Sequence, residues 1–577
     1  MTPTPTAPDR HTRAGDFATL PEALDFAATQ PTGINLHSLR GELTSVLPYR
    51  DLASQARELA ASLLARGLEP GDRVALAAES DADFLRAFFA CQYASLTPTP
   101  LPLPAPFGGK DAYVAHIRRM LQSCDARAAF APPALAGWFE EAGEGLGLAI
   151  SGTIADVPVS TAGALPNPDP RDLCYLQFSS GSTRFPLGVA VTHKALLANL
   201  VAIGRHGLAV GPNDRTVSWL PLYHDMGLVG MLLTSLAFQV SIDLLPTGAF
   251  VRRPKLWLDL ISTRKGTITY APTFGYDLAT RRAGTSVLEG LDLSCWRVAG
   301  LGGDMIRSEP LRAFATTYAP AGFDPGAFVA SYGLAEATLA LTLSKPGDGL
   351  RTDTVDAVAL ESRRRAEKAT GSGRAREFTL CGETLVGHEL EVRDEHGMVL
   401  PERGVGRIFA RGPSLMKSYF LRPEETDEIL SADGWLDTGD IGYFLDDQIV
   451  ITGRAKDLMI VNGRNVWPQD LEWTAESEIA GLRSGDVAVF SVPVANGEER
   501  VIALVQVRTS DATVRHAFCA DVANLLRSRH GLEVGVTAAP PHSLPQTSSG
   551  KLSRSRARDL YLQGAFGAGT TEKRAGE

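Results

Sequence analysis

The chain holds six cysteines, none of them in a C-x-x-C pair: Cys91, Cys124, Cys174, Cys295, Cys381 and Cys519 lie far apart. That spacing suggests neither a zinc site nor a disulfide framework, and a reduced, cytoplasmic setting is expected. No apolar run reaches the roughly 18 residues that a membrane-spanning helix needs. The opening stretch, Met1-Thr-Pro-Thr-Pro-Thr-Ala-Pro8, lacks the basic and then apolar regions of a signal peptide. Positive charge is not in excess either. A net charge of −10 gives no general attraction to nucleic acid or to anionic lipid. The order Gly-x-x-x-x-Gly-Lys-Ser/Thr is also missing, which argues against a Walker-type kinase or ATPase.

What is present is length and alternation. At 577 residues the chain exceeds one hydrophobic core, so two to four domains are expected. Residues 1–16, rich in Thr and Pro, read as a disordered arm. Strand and helix patterns then alternate, which predicts an α/β fold: a large N-terminal domain (17–455) of mixed and parallel sheets with flanking helices. The helical spacing of Leu52, Ala56, Leu59 and Leu63 is followed by a buried strand at Arg73–Ala78. The Pro-rich segment Thr97–Pro106 reads as a rigid connector.

One stretch organises the rest: Leu176-Gln-Phe-Ser-Ser-Gly-Ser-Thr-Arg-Phe-Pro-Leu-Gly188. Strand formers run into a loop of hydroxyl residues and glycine, and a helix with Thr192 as its N-cap follows. The loop is either a polar surface turn or a nest in which Ser179, Ser180, Gly181, Ser182 and Thr183 cradle phosphate oxygens. Further strand-to-turn junctions come in series. Thr216–Gly230 carries His224, either a structural histidine or one that donates to a nucleotide, and then a greasy helix with Met226 and Met231. Gly266–Tyr276 ends in Phe274 and Tyr276, Val298–Asp304 in a Gly-Gly turn, and Phe328–Thr338 in a turn holding Glu336. Open α/β sheets place ligands at such strand ends, and Glu336 is placed to hold Mg²⁺ against phosphates. Met226, Met231, Phe274 and Tyr276 are the candidates to line an apolar substrate channel.

Residues 345–377 read as an exposed, mobile polar insertion. A β-rich subdomain follows, in which Asp440 and Arg454 are candidates to hold a ribose. From Lys456 to about residue 563 the pattern restarts as a small α+β domain. It ends in Thr547-Ser-Ser-Gly-Lys551, whose lysine is either solvated or swung onto developing phosphate charge. Residues 564–577 read as a disordered tail.

This ordered set resembles the adenylate-forming superfamily of acyl-CoA synthetases, peptide-synthetase adenylation domains and luciferases, over about residues 20–555. The resemblance implies that Ser179–Thr183 hold ATP phosphates and that Gly302, Gly303, Asp304, Tyr332 and Gly333 surround the adenine. The family more usually has Gly-Ala-Glu where this chain has Gly-Gly-Asp. It further implies that Glu336 binds Mg²⁺, that Asp440 and Arg454 hold ribose, that Lys456 is the hinge of a mobile small domain, and that Lys551 is catalytic. Arg184-Phe-Pro-Leu-Gly188 replaces the usual Gly-x-Pro-Lys-Gly. With Tyr332–Thr338 and Asn462–Glu472, it is similar to fatty acyl-AMP ligases, which carry an extra segment near 345–377 that is linked to stopping at the acyl-adenylate. The activity so implied uses ATP and Mg²⁺ to make a fatty acyl-adenylate, then hands the acyl group to the phosphopantetheine thiol of an acyl carrier protein. No carrier domain follows residue 563, so that acceptor is expected on a separate chain. The alternative is an acyl-CoA synthetase.

Overall fold

The computed structural model describes residues 13–104, 109–160, 163–179, 187–284, 288–371, 373–461, 464–493, 499–546 and 552–566. Ser180, Gly181, Ser182, Thr183 and Lys551 lie outside them. The fold is mixed α/β. Its centre is a parallel array of six strands, in spatial order Phe328–Gly333, Val298–Leu301, Ile268–Ala271, Arg215–Ser218, Ser241–Leu244 and Gly33–His37. These strands are short and buried on both faces, as a parallel sheet covered by crossover helices requires. Trp219, Trp257, Tyr276 and Trp296 fill the layer beneath, mostly edge to face.

The sheet continues antiparallel through Ala340–Leu343 and Ala375–Thr384 into Gln448–Arg454, Leu436–Leu445, Gly406–Arg411 and Glu389–Arg393. The β-rich region is thus joined to the parallel array edge to edge. A second sheet of four parallel strands contains Thr97–Leu101, the segment expected to be a connector. Its prolines are tolerated because it is an edge strand. It bonds only to Arg73–Ala77, and alternate residues Pro98 and Pro100 need give no N–H to that neighbour.

Residues 352–371 also depart from expectation. Thr352–Asp356 pairs with Ala375–Thr384, and the helix Ala357–Arg363 follows, capped by the Asp356 carboxylate. Val355, Leu360, Glu361 and Ala366 are buried. An arginine-rich composition concealed a packed element.

Beyond Lys456 comes a hairpin, Met459–Val461 with Arg464–Val466, then a three-stranded sheet with its own core of Val487, Val489, Val501, Ala503 and Leu526. This unit meets the rest of the chain through charged pairs. Arg376 bonds Asp470 at 2.6 Å, and the buried Glu361 joins Arg374 on one side and Arg464, at 2.7 Å, on the other. No helix among the described residues is long and apolar enough to cross a membrane.

Candidate active site

Several strand ends converge on one cavity, and Ser179, at the base of the hydroxyl loop, lies on its wall. Leu173–Phe178 delivers Gln177, Phe178 and Ser179 to its wall, while Phe328–Gly333 delivers Ser331, Tyr332 and Gly333. Ser179 closes the base of its loop: its N–H donates to the Leu187 carbonyl at 2.9 Å, and its hydroxyl accepts from Leu187 N–H at 3.3 Å.

Glu336 sits on the short turn Ala335–Ala337 just past its strand. The segment 414–419 grips this turn from several sides. Thr338 Oγ1 donates to the Ser414 carbonyl (2.6 Å), Ser414 Oγ to the Ala337 carbonyl (3.1 Å), and Met416 N–H to the Glu336 carbonyl (2.8 Å). Tyr419 Oη donates to Glu336 Oε1 at 2.6 Å. Burial pushes the Glu336 carboxyl up; the Tyr419 hydrogen bond and the Arg454 charge oppose that shift.

A second carboxylate, Asp440, is fixed on both oxygens. Tyr332 Oη donates to Oδ2 at 2.9 Å, and Arg454 Nε lies 3.4 Å from Oδ1. Asp440 and Arg454 are cross-strand partners in the antiparallel pair, which is why residues 14 apart in sequence meet. The Asp440 charge holds the Arg454 guanidinium above its usual range, against the effect of burial. Lys456 follows on the same wall, and Arg554 anchors its neighbour Asp457 at 2.8 Å while also holding Glu472.

His224 lines the cavity but its Nδ1 lies 2.7 Å from Asp225 Oδ1, and Asp225 also accepts Met226 N–H at 2.7 Å. Gly303 turns the chain at φ +78°, with Met226 packed against the place of its missing side chain. Asp304 lies at the exposed rim, where its carboxylate accepts its own chain's Met305 N–H, and it does not line the cavity.

Of the four expected channel residues, Met226 lines the cavity and three do not. Met226–Leu233 is wound as a π-helix, and Met231 is buried in the core. Phe274 and Tyr276 fall on the helix Thr273–Arg281 rather than on a strand. Phe274 stays partly exposed against Trp219, and Tyr276 is sealed in the aromatic layer with its hydroxyl on the Gly300 carbonyl. The apolar wall is made instead by Ile203, Gly230, Leu339, Ala340 and Leu343. Tyr419, Gln177 and Tyr270 also went unforeseen. Tyr419 lies 83 residues from the carboxylate it holds, and no local pattern links them.

Gln177 Oε1 is buried on the cavity wall with no hydrogen-bond partner among the described residues. No cluster of three or more metal-ligating side chains occurs among the described residues. A single hard-oxygen carboxylate, Glu336, with one oxygen pinned and the cavity beside it, fits Mg²⁺ carried in with nucleotide phosphates rather than a protein cage.

Fold and site together define an adenylate-forming enzyme of the ligase class. The profile of the AMP-binding enzyme family matches residues 26–420. A Caulobacter vibrioides protein provisionally named an acyl-CoA synthetase is 60% identical over 98% of this chain and 99% of its own. A Mycolicibacterium smegmatis long-chain-fatty-acid–AMP ligase is 32% identical over 91% of this chain and 90% of its own. A solved structure from work on fatty acyl-adenylate ligases of E. coli and L. pneumophila superposes with a TM-score of 0.91 at 42% identity, covering 96% and 99% of the two chains. The chain belongs to the AMP-binding enzyme family, and within it to the fatty acyl-AMP ligase branch.

Proposed function

We propose that this enzyme condenses a fatty acid with ATP to give a fatty acyl-adenylate and pyrophosphate. The observation that carries the reading is the composition of the cavity: Glu336, held by Tyr419, and Arg454, the ion-pair partner of Asp440, above an apolar wall of Ile203, Leu339 and Leu343. A carboxylate is already ionised near neutral pH, so the nucleophile needs no general base. Its oxygen attacks the α-phosphorus of ATP, a new P–O bond forms, and the bond to the β-phosphate oxygen breaks as pyrophosphate leaves.

The residues act by positioning and by charge. Asp440, oriented by Tyr332 and flanked by Arg454, takes the ribose hydroxyls. The loop Ser179–Thr183 takes the phosphates, and Lys551 is assigned to the charge that grows on the α-phosphate. Gly303, Tyr332 and Gly333, which line the cavity, border the adenine, and Asp304, which stands outside it, is left without that role. Mg²⁺, held by Glu336, neutralises phosphate charge when bound. His224, braced by Asp225, shapes the wall between nucleotide and acid. That bracing also weighs against amino-acid activation, since the Asp225 carboxylate already serves His224 and Met226 N–H.

The acyl group then passes to the phosphopantetheine thiol of a separate acyl carrier protein, and a carrier-protein ligase from Moorena producens among the relatives supports that acceptor. Transfer needs the small domain to turn about Lys456. The Glu361–Arg464 and Arg376–Asp470 pairs resist that turn, which supports retention of the adenylate over prompt transfer to CoA. The second reading, an acyl-CoA synthetase, is favoured by the provisional name of the Caulobacter relative. The test of the first half-reaction is ATP–pyrophosphate exchange in the full-length enzyme. Exchange that depends on a fatty acid supports it, and exchange driven only by amino or aryl acids contradicts it.

A further inference from the structure

The acyl wall of the cavity is apolar except at one place. Tyr270, on the strand Ile268–Ala271, lines it among Ile203, Met226, Gly230 and Leu343. The tyrosine is 7% exposed, and its hydroxyl has no hydrogen-bond partner among the described residues. The neighbouring tyrosines differ: Tyr276 donates to a carbonyl and Tyr332 to a carboxylate. Burial pushes the Tyr270 phenol up, so it stays neutral and keeps its proton to donate.

The placement is built. Tyr270 pairs with Gly300 in the parallel register, and a Cβ at 300 would stand 2.3 Å from its ring. The ring therefore lies where the side chain of residue 300 would be, and only glycine admits it. Gly302 lies two residues on, just past the strand's last residue Leu301, so the ring lies about 7 Å below the Gly302–Gly303 turn at the rise of a parallel strand. That depth belongs to the acyl end of the cavity. A phenylalanine would line a path for a plain alkyl chain without a hydroxyl whose hydrogen bonds to water are lost and not replaced.

We propose that Tyr270 donates a hydrogen bond to an oxygen carried on the acyl chain, so that the enzyme selects hydroxy- or oxo-fatty acids over unsubstituted ones. This rests on the reading of the cavity as a fatty-acid site. A pocket that hydrogen-bonds a substrate oxygen discriminates strongly against the analogue without it, because its own polar group is left unpaired.

The test uses the full-length enzyme and its Tyr270→Phe variant, with dodecanoate, its 2-, 3- and 12-hydroxy derivatives and 3-oxododecanoate. Adenylate formation is read as kcat/KM for each acid, and the melting temperature and circular dichroism of the variant confirm its fold. The expected result is at least a tenfold preference for one oxygenated acid over dodecanoate in the wild type. Tyr270→Phe then collapses that ratio toward one, by lowering the oxygenated acid and raising dodecanoate. Equal use of all five acids by the wild type overturns the proposal while leaving the fatty-acid reading intact. So does a variant that weakens every acid equally, which would place the phenol on the shared carboxylate. Adenylate from none of the five overturns the fatty-acid reading itself, and the Tyr270 proposal with it.

Discussion

Tyr419 holds the carboxylate of Glu336 through a 2.6 Å hydrogen bond, and the strand Ser418–Tyr419 that carries it pairs with Gly188–Thr192, the strand that leaves the hydroxyl loop. One short segment therefore sets both the Glu336 carboxylate and the strand that follows the hydroxyl loop. Hydrogen bonds to charged groups contribute about 1.5–3 kcal/mol. Tyr419→Phe keeps the ring and removes only the donor. The expected outcome is a rise of about tenfold in the Mg²⁺ concentration that half-saturates the enzyme and in the KM for ATP, with little change in the KM for the acid. Titration calorimetry of Mg·ATP shows whether binding itself has weakened.

Asp440 is the second carboxylate and has a different task. Asp440→Asn removes the charge that Arg454 faces at 3.4 Å and weakens the grip on a ribose diol. An increase of about tenfold or more in the KM for ATP is expected, with a smaller effect from Tyr332→Phe, which frees one oxygen but leaves the charge. Steady-state kinetics with ATP varied at saturating acid checks both.

Glu361 is the joint between the two units, and Arg374 and Arg464 both depend on it. Glu361→Ala leaves two arginines half-buried without their partner, so a loss of stability of about 3 kcal/mol is expected. The same variant frees the small domain to turn. Thioester formation with a pantetheine thiol should rise at least severalfold relative to adenylate formation. A thioester rate that falls in step with adenylation would contradict the link.

Burial pushes the Glu476 carboxyl up to about 8, aided by Glu472 and opposed by Arg307, whose guanidinium lies 3.6 Å away across the domain boundary. Its folded pKa lies above the unfolded value, so its contribution to stability is complete below the ordinary carboxyl range. That contribution is lost as pH rises through about 8, where the buried group ionises. The melting temperature should decline between about pH 5 and 8 more steeply in the wild type than in Glu476→Gln, which stays neutral throughout. Equal slopes would show that Glu476 does not set this dependence.

The sequence made the polar turns that reach the cavity more legible than its apolar wall, and the reason is physical. Phosphate and ribose groups are met at turns, and turns announce themselves through Gly, Ser and Asp in fixed order, as at Tyr332–Glu336 and Gly439–Asp440. The acyl wall is decided by which face of an element points inward. Met226 and Met231 are five residues apart on one greasy helix, yet Met226 reaches the cavity and Met231 is sealed in the core. Tyr270 and Gly300 define each other only through strand register, 30 residues apart. Proline at positions 98 and 100 signalled a connector, because local propensity carries no information on whether a strand will lie at an edge. The segment 345–377 reads as exposed for a similar reason: Glu361 within it is buried against Arg374 nearby and Arg464 about a hundred residues on, and charge alone reads as exposure.

The central claim is that the enzyme makes and retains a fatty acyl-adenylate. The most direct measurement incubates the full-length protein with radiolabelled fatty acids, ATP and Mg²⁺, with and without CoA, and separates the products. Acyl-AMP that accumulates and persists when CoA is added is the result this account predicts. Prompt conversion to acyl-CoA would contradict it, and would leave the Glu361 joint as a structural contact without a role in the outcome of the reaction.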